Sequence, residues 1–132
     1  LNGSYLSVAD DDFGRGQHQY MKQDFTKEAD IMGTTIYGIK EYRTRSPKFS
    51  LAAGDAGLII HGISAGGTAF ALGSATYFGD WEMRFQLLRT AEIGGCTIKD
   101  GNLRHYKLGE FALVGEATAL AMRTNINRYN GD

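Results

Sequence analysis

A chain of 132 residues is enough for one domain with a real core, and its 42% hydrophobic content is ordinary for a globular protein. With 14 Lys plus Arg against 15 Asp plus Glu, the formal charge of -1 supplies no bulk field for nucleic acid or an anionic membrane, and no apolar run approaches the roughly 18 residues of a membrane span. The single cysteine, Cys96, excludes an internal disulfide and a thiolate metal cluster, and reads as a small buried apolar residue.

The chain opens at Leu1 rather than Met, which points to a processed product or a chain boundary, and Asn2-Gly3-Ser4 fits the glycosylation acceptor pattern. Residues 1–33 are polar and weakly patterned. They read as an extended N-terminal arm or long loops, with a short strand at 5–8, followed by a single β-rich domain over 34–132. From Thr34 to Tyr42 the β-branched and aromatic content predicts a strand, which ends at a basic loop holding Arg43, Arg45, Pro47 and Lys48. Residues 57–63, Gly-Leu-Ile-Ile-His-Gly-Ile, predict a strand buried on both faces, and Gly66-Gly67 predicts a turn into another strand at 68–72.

Residues 77–88 carry the clearest pattern. Trp81, Met83, Phe85 and Leu87 alternate with Glu82, Arg84 and Gln86, the period of a half-buried strand, with Gly79-Asp80 as the hairpin turn before it. Trp81 then belongs to the core or a sheet face rather than to a ligand platform. Asp100-Gly101 signals a type I′ hairpin joining 96–99 to 103–106, and Glu116 to Arg123 contains strong helix formers behind a glycine. About eight or nine short strands with frequent turns predict a mainly β fold, an antiparallel β-sandwich or barrel with one short C-terminal helix.

Four short motifs occur in order: Asp11-Asp12-Phe13, Gly54-Asp55-Ala56-Gly57-Leu58, the run from Phe78 to Phe85, and Asp100-Gly101-Asn102 leading to Tyr106. Over residues 10–108 the chain resembles the concanavalin A-like lectin and glucanase sandwiches, including laminin G-type modules. The resemblance implies two packed antiparallel sheets that bind glycans at a sheet face or loops. No recognisable pair of catalytic carboxylates accompanies it.

The only local basic and aromatic cluster is Tyr37, Tyr42, Arg43, Arg45 and Lys48, suited to phosphate, sulfated glycan or an acidic protein surface. The wet side of the alternating stretch, Glu82, Arg84 and Gln86, would meet sugar hydroxyls, and Tyr106 would add an aromatic face. Asp10-Asp11-Asp12 lacks the ligand spacing of a calcium loop, and no histidine pair has metal-ligand spacing, so neither a metal nor a cofactor is expected. His61 reads as a core-edge residue. In the order His61, Tyr77 and a later Glu92, Glu110 or Glu116, the chain also resembles the His-Tyr-Glu set of ADP-ribosyltransferases.

The leading expectation is a non-enzymatic binding module with a glycan or protein surface as partner and no catalytic residues, its ligand contacts drawn from Tyr42, Arg43, Arg45, Glu82, Arg84 and Tyr106. The alternatives are a structural subunit of a virion or tail assembly, oligomerising through residues 1–33, and a small transferase or toxin domain. The compartment stays open, with an extracellular or virion-associated location favoured.

Overall fold

Asp10 begins the first described element. The structure, a computed structural model, describes residues 7, 9–42, 49–51, 58–95, 97–106 and 121–122. Asp10 has an extended backbone, and its carboxylate accepts the Phe13 N–H at 2.9 Å, capping helix α1 (Asp11–Phe25). Asp11 and Asp12 in the first turn and Lys22 in the last suit the helix dipole. Gly14 and His18 are buried, and Met21 and Phe25 pack partly buried against the core. That stripe has helical spacing, but only half of it is apolar, so hydrophobic periodicity does not reveal it.

The helix passes directly into β1 (Thr26–Ile31), which pairs antiparallel with β2 (Thr34–Lys40). The range expected to be an arm or loops therefore holds a helix and a strand. Met32 and Gly33 form the two-residue turn with φ of 50° and 81°, the positive pair that a type I′ hairpin requires. The next strands are β3 (Phe49–Leu51), β4 (Leu58–Ile60) and β5 (Ile63–Ser64). His61 and Gly62 repeat the same turn, with φ of 51° and 81°. The expected continuous strand at 57–63 is thus a tight hairpin, and His61 is exposed at its tip rather than seated at the core edge.

The five strands run in the order β1-β2-β5-β4-β3, each antiparallel to its neighbour, in a sheet curled as a half-barrel. Strand β5 leads straight into α2 (Ala65–Tyr77), where Ser64 Oγ accepts the Gly67 N–H at 3.1 Å as the cap. The helix lies very close to the sheet. Thr68 Oγ1 accepts the Ile39 N–H at 3.1 Å, and a Cβ on Gly38 would fall 2.5 Å from Ile63 Cγ2 and 2.7 Å from Thr68 Oγ1.

At its far end α2 closes with a Schellman motif. Gly79, at φ 70°, donates to Thr76 O, and Asp80 N–H donates to Ala75 O. Asp80 then caps α3 (Trp81–Gly95), its Oδ1 accepting the Met83 N–H at 3.2 Å. The core joins α2, α3 and the sheet through Ile39, Ala71, Leu72, Ala75, Met83 and Leu87, with Met122 added from the C-terminal region. A separate hairpin follows, β6 (Thr97–Asp100) with β7 (Leu103–Tyr106). Its turn residues are Gly101 and Asn102, with positive φ at Gly101 and not at Asn102, the pattern of type II′ rather than type I′.

The fold is therefore not mainly β, and neither a β-sandwich nor a barrel. Three helices of 15, 13 and 15 residues outweigh the strands among the described residues. The predicted strands at 68–72 and 81–87 are both helical. Period two fitted Trp81 to Leu87, but Met83, Leu87 and Thr90 are also spaced as one helical face, and that face is the buried one. The sandwich implied by the lectin resemblance falls with the same finding, because the run from Phe78 to Phe85 crosses from the cap of α2 into α3. The helix expected over 116–123 lies outside the described residues apart from Ala121 and Met122. No helix among the described residues is long and apolar enough to cross a membrane.

Candidate functional site

Among the described residues, two places gather polar side chains from distant parts of the chain. The first is an open groove of about 330 Å³ between α3 and the β1–β2 hairpin. Its floor follows from a single tie, in which Thr90 Oγ1 on α3 accepts the Tyr37 N–H at 2.8 Å and sets the helix across the strand. Around that tie stand Glu28 and Thr35 from the hairpin and Glu82, Phe85, Gln86 and Arg89 from α3. Phe85 is 69% exposed and Trp81, one turn earlier on the same helix, 52% exposed. Large aromatic side chains standing in water beside hydrogen-bonding groups mark a surface suited to contact.

Tyr37 lies half-buried beneath this groove. Burial pushes its hydroxyl above the usual tyrosine range, with Lys22 and a hydrogen bond to Thr26 opposing, so it stays a neutral donor at ordinary pH. Arg84 turns away from the groove. Its Nε donates to Thr76 Oγ1 at 3.1 Å, and its guanidinium sits 5.8 Å from the centre of the Trp81 ring, which braces that ring at the helix start.

The second place is a buried polar cluster where α1 meets the α2–α3 junction. His18 Nδ1 lies 3.0 Å from Ser74 Oγ, and its Nε2 lies 3.3 Å from Asp80 Oδ2. Lys22 Nζ donates to the same Asp80 oxygen at 2.6 Å. The His18 ring rests 5.1 Å from Phe78, over which Arg15 also sits. Desolvation holds His18 below the ordinary histidine value; Lys22 and Arg15 act in the same sense, while Asp80 opposes them. Burial would raise the Asp80 carboxyl, but Lys22, the Met83 N–H and His18 together hold it below the usual range. The hydrogen bond to Asp80 in turn raises Lys22.

Ser, His and Asp in mutual contact suggest an acyl-transfer triad, but the geometry opposes it. Ser74 has 0% exposure on the inner side of α2 and His18 only 2%, so no substrate carbonyl reaches the hydroxyl. In this arrangement the cluster ties three helices together.

Of the residues expected to touch a ligand, Glu82 lines the groove and Arg84 stands behind it. Tyr42 is exposed just beyond β2, away from the groove lining. Arg43, Arg45, Pro47 and Lys48 lie outside the described residues, as do Cys96, Glu110 and Glu116. Tyr106 belongs to β7. His61 and Tyr77 are not brought together: one lies on a hairpin turn before α2, the other is buried in its last turn, about 20 Å along the helix. The acidic run at Asp10 to Asp12 is a helix cap and first turn, with Asp11 paired to Arg15 at 3.5 Å. Among the described residues no group of three or more His, Cys, Asp or Glu side chains is placed to hold a metal.

Sequence reasoning missed Glu28, Thr35, Phe85 and Arg89 as neighbours, took Asp80 as part of a hairpin turn, and did not single out His18 or Ser74 as site residues. Helical phasing of 81–90 would have placed Glu82, Phe85, Gln86 and Arg89 on one face. Nothing in the sequence relates His18 to Asp80. Comparison with protein families, curated proteins and solved structures gives no match to this chain.

Proposed function

We propose that this chain is a non-enzymatic binding module that takes a glycan into the groove between α3 and the β1–β2 hairpin. The observation that carries the reading is the exposure of Phe85 in the wall of a groove otherwise lined by hydrogen-bonding side chains, with Trp81 exposed one helical turn before it on α3. Aromatic faces pack against the C–H faces of sugar rings. Glu28 and Glu82 accept hydrogen bonds from sugar hydroxyls, while Gln86 and Arg89 donate to ring and hydroxyl oxygens. A volume near 330 Å³ lies at the lower end for small-ligand sites and suits a short oligosaccharide.

A glycan array followed by calorimetry on the best hit tests the reading. The expected result is saturable binding that weakens at least about tenfold in Trp81→Ala and in Phe85→Ser, about 1.4 kcal/mol or more. Absence of binding above background, or binding that both variants leave unchanged, would overturn it.

A further inference from the structure

His18, Lys22, Ser74 and Asp80 form one cluster in which His18 and Ser74 are buried while the Lys22 side chain is 37% exposed. With a neutral imidazole the cluster is satisfied: Nε2–H donates to Asp80, Nδ1 accepts from Ser74, and Lys22 supplies the one cation opposite the one carboxylate. A proton added to His18 places a second cation beside the same Asp80 oxygen, with Arg15 on the neighbouring turn of α1 as a third. The His18 side chain is 2% exposed, so water does little to screen that charge. Among the described residues, the groups facing His18 are Arg15 and Lys22 from its own helix, Ser74 from α2, Phe78 from the junction and Asp80 from the start of α3. Only Asp80 among them is negative.

The cluster makes up much of what docks α1. The helix meets the rest of the fold through Gly14, His18, Met21 and Phe25, and the last two are only partly buried. The buried core residues Ile39, Ala71, Leu72, Ala75, Met83 and Leu87 all come from α2, α3 and the sheet, and Met21 and Phe25 of α1 pack against them only partly buried. We propose that the His18–Lys22–Ser74–Asp80 cluster is an acid-released latch: in its neutral form it holds α1 on the α2–α3 junction, and proton uptake at His18 frees α1 while α2, α3 and the sheet stay folded.

Linkage fixes the direction and the window. His18 in the docked form lies below the ordinary value of 6.5, so the undocked helix binds more protons as pH falls through 6.5, and docking weakens on acidification. Asp80, held below 3.8, loses its contribution only in stronger acid, and Lys22, held above 10.5, only in strong base. Neither acts in the same window.

Amide hydrogen exchange on the full chain tests the latch. Between pH 7 and pH 5, after correction for intrinsic rates, the opening equilibrium of amides in residues 15–25 is expected to rise by up to about tenfold per pH unit, with amides in residues 69–77 unchanged. His18→Gln is expected to abolish this pH dependence, whereas His61→Gln and His105→Gln keep it. Loss of protection in α1 and α2 together, or wild-type pH dependence in His18→Gln, overturns the proposal. Should His18→Gln fail to fold, NMR titration of the His18 ring in the wild-type chain decides instead: a midpoint below 6.5 is expected, and one at or above 6.5 overturns it.

Discussion

Helices α2 and α3 are consecutive, of similar length, and separated by only three residues, yet they treat their side chains in opposite ways. From Ala71 to Tyr77 every residue of α2 is buried, although the run includes glycine, serine and threonine. On α3 the larger apolar residues divide, with Met83 and Leu87 inside and Trp81 and Phe85 in water. Apolar character by itself does not decide burial here. Helix α2 lies so close to the sheet that a Cβ on its Gly67 would fall 3.4 Å from Ile39 Cγ2, while α3 is covered on one face and leaves its aromatic residues outside.

The comparison predicts that substitutions inside α2 and its contacts unfold the protein while the exposed aromatic residues of α3 tolerate change. The largest effect is expected at Leu72, which is 2% exposed: Leu72→Ala should destabilise by about 2–5 kcal/mol in urea unfolding, and a loss under ~1 kcal/mol would mean that α2 is not the centre of the core. Gly38→Ala comes next. Its new methyl meets Ile63 and Thr68, so about 1–3 kcal/mol of overpacking should appear in the same assay, and a neutral result would show that β2 and α2 are farther apart than described. The smallest effect is at Phe85, where Phe85→Ser should alter stability by no more than ~0.5 kcal/mol. A large loss there would place Phe85 in the core and erase the contrast between the two helices.

Some of this architecture was legible beforehand. Thr34 to Lys40 is a strand because its β-branched and aromatic residues suit a pleated surface, and Asp100-Gly101 marks a real hairpin because a glycine there adopts positive φ without strain. The caps of α1 and α3 were also present as Asp10 and Asp80, each followed by a helix whose third residue meets its carboxylate. They went unread because the segments behind them lack an apolar stripe wide enough to announce a helix. In α1 two of the four inward positions are Gly14 and His18, and in α3 the buried face is Met83, Leu87 and Thr90, of which Met83 and Leu87 fit period two as well.

The sequence by itself determined the hairpin at Asp100-Gly101, the strand after residue 33 and the absence of a bulk charge field, since these depend on neighbouring residues or on composition. Only the tertiary structure decided whether residues 81–87 would be strand or helix, because Met83 and Leu87 satisfy both periods and the choice depends on which surface covers them. It alone also set His18 against Ser74 and Asp80, and Glu28 opposite Glu82. These are meetings between residues more than 50 positions apart, made by chain packing that no local pattern records.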